Sequence, residues 1–100
     1  MPRIALRTRL KPGAEEAYER EHATIPAELE ADMREAGVRS WTIWRDGLDL
    51  FHVVEVDDWA AMQERMRDSA ADQAWQSRMN RFLDRDFDPS AIRLREVWKM

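Results

Sequence analysis

One hundred residues with 44% hydrophobic side chains are expected to form one domain, residues 1–100, with a modest core at the small end of what folds without help. Sixteen basic and 20 acidic residues give a net charge of −4, with both signs interspersed, which excludes a nucleic-acid footprint. The chain has no cysteine, which removes disulfides, thiolate nucleophiles and Cys-based metal centres and fits a reducing, cytoplasmic setting.

Residues 3–10 alternate, with Ile4, Leu6, Thr8 and Leu10 on one side and Arg3, Ala5, Arg7 and Arg9 on the other, so a strand with one apolar face is predicted. That alternation also argues against a signal peptide or membrane span. Lys11-Pro12-Gly13 reads as a turn, and residues 13–37 read as helix, acidic at the start through Glu15 and Glu16. Pro26 must end or kink that helix, giving one bent helix or two short ones. Ile25, Leu29 and Met33 then recur every four residues, and Gly37 terminates the run.

Residues 38–45 read as a strand with Trp41 and Ile43 on one side and Ser40, Thr42 and Trp44 on the other. Asp46-Gly47 is a hairpin signal, and residues 48–56 return antiparallel, with Leu50, His52, Val54 and Val56 sharing a face. Asp57-Asp58 caps a helix whose stripe is Trp59, Met62 and Met66, and a second segment is predicted over 70–83 with Trp75, Met79 and Phe82. After a polar loop, residues 92–97 alternate as a last short strand. The order β-α-β-β-α-β, with split helices, is the ferredoxin-like α+β arrangement: a four-stranded antiparallel sheet with helices on one face. Covering its bare face with a second copy would give a homodimeric α+β barrel.

The most informative stretch is residues 18–28, Tyr-Glu-Arg-Glu-His-Ala-Thr-Ile-Pro-Ala-Glu. Tyr18 and His22 lie one helical turn apart on one face, just before the proline, which has no N–H to offer the carbonyl of His22. A phenol beside an imidazole suits proton transfer to a neutral organic substrate, although the same spacing also serves plain packing pairs. Trp41 and Trp75 can be core or can offer flat surfaces to a ring of C–H bonds. Two histidines on different elements, with nothing to bring them together, give no reason to expect a metal site. His52, mid-strand on an apolar face, reads as a structural histidine with satisfied hydrogen bonds. Phosphate loops and Ser–His pairs have no support.

Over residues 3–83, the Tyr18-x-x-x-His22 helix with Glu28-Leu29, the Trp41-Thr42-Ile43-Trp44 strand, residues 51–56 and Gln73-Ala74-Trp75 together resemble the L-rhamnose mutarotase family. The resemblance implies a cofactor-free isomerase that interconverts the anomers of L-rhamnose or a related 6-deoxyhexose. His22 would be the proton donor, and Tyr18, Trp41, Trp75 and Gln76 would contact the monosaccharide. At position 41 the family commonly has tyrosine, and at 76 a second tryptophan, so the hydrogen bonding of this site must differ at both. The same fold class also serves cofactor-independent monooxygenases and isomerases of aromatic or polyketide-like substrates, and a non-enzymatic dimeric binding module is a third reading. Neither nucleic acid nor membrane is expected as a partner.

Overall fold

A computed structural model describes residues 2–100. The elements follow in the order β1 (Arg3–Arg9), α1 (Glu15–His22), α2 (Ala27–Glu35), β2 (Val38–Asp46), β3 (Asp49–Val56), α3 (Trp59–Met66) and α4 (Ala70–Asn80). The strands form an antiparallel sheet in the order β1-β3-β2, so the strand made last is the centre. Gly47, at φ +61°, turns β2 into β3 in a conformation that other residues resist.

Alternation decides which face is covered. Ile4 and Leu6 from β1, and Leu50, Val54 and Val56 from β3, are buried with Leu29, Met62, Met66, Trp75 and Met79 from the helices. The opposite face carries Arg7 and Arg9, which both hold Asp49 at 3.0 and 2.9 Å, together with Phe51 and its cross-strand partner Trp44. β2 contains a register shift between Val38 and Ser40. The extra residue lets Val38 and Trp41, three positions apart, both face the helices, which strict alternation forbids.

Pro26 divides the helical region into two short helices, standing as the N-cap of α2 with extended backbone (φ −58°, ψ 139°). Asp58 caps α3 by accepting from Ala61 N–H at 3.0 Å, and Ser69 caps α4 through Asp72 N–H at 3.0 Å. The last helix ends at Asn80, three residues short of the predicted limit.

The sheet has three strands, not four. Residues 92–94 lie along the free edge of β1, with Arg7 N–H donating to Ile92 O at 2.9 Å and Leu94 N–H to Ala5 O at 2.8 Å, but the pairing is a single bridge between Leu6 and Arg93. Past Leu94 the charged residues have nothing to gain from the covered face, and the alternation of the sequence is not matched by a ladder; Val97 and Trp98 are exposed. Counting that bridge, the spatial order is still the ferredoxin-like one. Among the described residues no helix is long and apolar enough to cross a membrane.

Leu6 has no exposed surface. Leu6→Ala is expected to lower unfolding stability by about 2–5 kcal/mol, whereas exposed, unpaired Glu64→Ala should change it by less than about 0.5 kcal/mol; urea melts measure both.

Candidate active site

Between the sheet and the helices lies a cavity of about 760 Å³, within the roughly 300–1,000 Å³ common for small-molecule sites. One wall is made by α1 and α4. Tyr18 and His22 project from successive turns of α1 with ring centroids 5.2 Å apart, and Trp75 of α4 meets the imidazole edge-on at 5.1 Å. Phe82 backs Tyr18, also edge-on, at 6.4 Å. Ion pairs hold α1 in place from both sides: Arg45 of β2 to Glu19 at 2.8 Å, and Arg78 of α4 to Glu21 at 2.7 Å. Half-exposed pairs of this kind contribute little stability, but they set where the helix lies.

Burial lowers the pKa of His22, with a smaller opposing effect from its own backbone. Pro26 has no N–H to offer the His22 carbonyl. The ring lines the cavity, and burial there disfavours its charged form. Burial raises the pKa of the Tyr18 phenol well above its ordinary value, so Tyr18 stays protonated and can donate but not act as a base.

The floor of the cavity is the sheet. Trp41, on β2, donates its indole N–H to His52 Nδ1 at 3.1 Å and lies against Trp59 at 6.3 Å. His52 Nε2 is 3.0 Å from Thr8 Oγ1. Burial, and to a lesser extent repulsion from His22, pushes the His52 pKa down to about 4. On α4, Gln76 Nε2 donates to Asp72 Oδ1 at 3.3 Å, and burial raises the Asp72 carboxyl above its usual range.

All five residues singled out in the sequence, Tyr18, His22, Trp41, Trp75 and Gln76, line this one cavity. His52 departs from the expectation that nothing brings the two histidines together. It is buried with both ring nitrogens hydrogen-bonded, as a structural histidine should be, yet it faces the cavity that His22 lines. The sequence already put it on the covered side of β3; what it lacked was any sign that the indole across the strand would use it. Thr8 and Asp72 were missed altogether, because a threonine in an apolar strand face and an aspartate near a helix start carry no local signal.

Relatives decide the family. The family model for L-rhamnose mutarotase matches residues 3–100. The L-rhamnose mutarotase of Cronobacter sakazakii is 30% identical over 94 residues, covering 92% of this chain and 89% of that one. The chain belongs to the L-rhamnose mutarotase family. Among solved structures, the L-rhamnose mutarotase of Formosa agariphila superposes with a TM-score of 0.79 at 23% identity, covering 100% of this chain and 99% of that one. Tetracenomycin F2 cyclase from Streptomyces glaucescens, a type-II polyketide cyclase, gives 0.67 at 23% identity over 100% and 97%. At that identity both show the fold alone, and the mutarotase assignment rests on the sequence matches.

His52 links the site to acid stability. Its unfolded pKa near 6.5 exceeds its folded value of about 4, so between those values the unfolded chain binds more protons, and stability falls as pH drops through that window. At about 1.4 kcal/mol per unit the loss is roughly 3 kcal/mol. Urea midpoints measured from pH 7 to pH 4 should show a smaller decline for His52→Gln than for the natural protein.

Proposed function

We propose that the protein interconverts the α and β anomers of L-rhamnose or a related 6-deoxyhexose, with His22 as the proton donor to the ring oxygen. The observation that carries this reading is an imidazole lining a cavity large enough for a pyranose, in a chain of the mutarotase family. Opening the ring breaks the bond between C1 and the ring oxygen, makes the C1 carbonyl, and moves one proton from the anomeric hydroxyl to the ring oxygen. Both oxygens are bonded to C1, so a neutral imidazole can take the proton at its unprotonated ring nitrogen and return it to the neighbouring oxygen without leaving its place. After rotation about C1–C2 the same steps in reverse close the ring on the other face. No cofactor takes part. Uncatalysed mutarotation is already fast enough that the roughly 10²–10⁴-fold supplied by one positioned acid–base group suffices.

The other contacts divide by chemistry. Trp41 and Trp75 present aromatic surface to the C–H face of the ring. Tyr18 donates, and the Gln76–Asp72 pair offers a donor and an acceptor to hydroxyls at the position where the family pattern has a second indole. We further propose that the protein is a cytoplasmic homodimer. Supporting this are the absence of cysteine and the exposed Trp44 and Phe51, 55% and 37% accessible, on the sheet face away from the helices.

His22→Ala is expected to lower the rate of enzyme-catalysed anomer exchange by at least about 10²-fold, with sugar still bound; saturation-transfer NMR on a panel of 6-deoxyhexoses measures it. Exchange unaffected by His22→Ala would remove the proposed role. The sign of the pH profile follows from the lowered His22 pKa: activity should be level across neutral pH and fall as pH drops through an apparent pKa below 6.5. A rate that rose toward acid would contradict an uncharged His22 as the working form. Trp44→Asp should shift the protein from dimer to monomer in sedimentation velocity.

A further inference from the structure

A hydrogen-bonded line crosses the cavity floor from β2 through β3 to β1. Trp41 Nε1 stands 3.1 Å from His52 Nδ1, and His52 Nε2 stands 3.0 Å from Thr8 Oγ1. An indole N–H can only donate. Nδ1 must then be the acceptor, which makes the imidazole neutral and puts its single ring hydrogen on Nε2. A hydrogen on Nδ1, in either the other tautomer or the imidazolium, would point at the indole hydrogen. So Nε2–H donates to Thr8 Oγ1, and the hydroxyl hydrogen of Thr8 cannot point back along the same line.

That hydrogen has no acceptor among the described residues, since His52 is the one partner of the Thr8 side chain. Thr8 is 7% exposed and lines the cavity. A buried hydroxyl donor without a partner is costly. Neighbours on the same sheet face are apolar: Leu6 precedes it by two residues and Leu50 lies opposite. The direction left for the O–H is into the cavity.

We propose that Thr8 is a substrate contact whose hydroxyl donates a hydrogen bond to an oxygen of the sugar, and that His52 and Trp41 are positioning residues that hold it in that sense. The inference rests on the mutarotase reading and deepens it. Because its N–H is engaged with His52, Trp41 meets the sugar through its ring alone. The contact on this side of the cavity that selects for a sugar oxygen is then on β1, in a strand otherwise given to packing.

Two measurements test this. Long-range ¹H–¹⁵N spectra of the natural protein at pH 7 should show His52 with hydrogen on Nε2 and a bare Nδ1; hydrogen on Nδ1 would overturn the relay without any variant being made. In the anomer-exchange assay, Thr8→Val keeps the shape and removes the hydroxyl, and Thr8→Ser keeps the hydroxyl and removes a methyl. Thr8→Val is expected to raise KM about three- to tenfold, with kcat changed less, while Thr8→Ser stays close to the natural protein. Two variants equally weak would assign the loss to packing and overturn the contact, as would a Thr8→Val protein indistinguishable from the natural one. If the natural protein exchanged no sugar, the mutarotase reading and this contact would fall together. Natural activity with an indifferent Thr8→Val would remove the contact alone.

Discussion

The site depends on a hydrogen bond that a proline cannot make. Pro26 has no N–H to give the carbonyl of His22, so α1 stops there and α2 starts again with Pro26 as its N-cap. His22 is the last residue of α1, and its ring lines the cavity between Tyr18 and Trp75. An unbroken helix would engage the His22 carbonyl in its own ladder and carry α2 along a different axis. Ion pairs from β2 and α4 also reach α1 from either side. The interruption places the reactive group, and the packing of both helices keeps it there.

Around that group the chain departs from the family pattern at two places, and at each the structure supplies a polar partner. Trp41, standing where tyrosine is common, engages His52 and through it Thr8. Gln76, standing where a second tryptophan is common, engages Asp72 one turn earlier. Losing a hydroxyl at 41 and an indole at 76 therefore does not leave the cavity plain. Donors and acceptors stand on β1 and α4 along the cavity wall.

Much of this was legible in the residues. Period-two alternation marks the three strands and the covered faces of β1 and β3, Asp46-Gly47 the hairpin, Pro26 the helix break and Asp58 the cap of α3, because all of these are set by interactions within a few residues. The one-turn spacing that puts the rings of Tyr18 and His22 side by side is legible for the same reason. Alternation in residues 92–97 overstated the last strand, since a strand needs an edge to pair with as well as a pattern, and the ladder ends after one bridge. His52 was put on the correct face but not in the site, and Thr8 not considered, because their link runs diagonally across three strands and exists only once the register is set. The bulge after Val38 that aims Trp41 at the same cavity is equally non-local.

The central claim is that His22 meets the reacting end of a closed sugar ring. A crystal structure with L-rhamnose bound tests it most directly. The expected result is a pyranose in the cavity between the sheet and α1/α4, its C1 hydroxyl and ring oxygen both within hydrogen-bonding reach of one His22 ring nitrogen. A sugar bound with C1 turned away from that nitrogen, or bound elsewhere on the molecule, would contradict it.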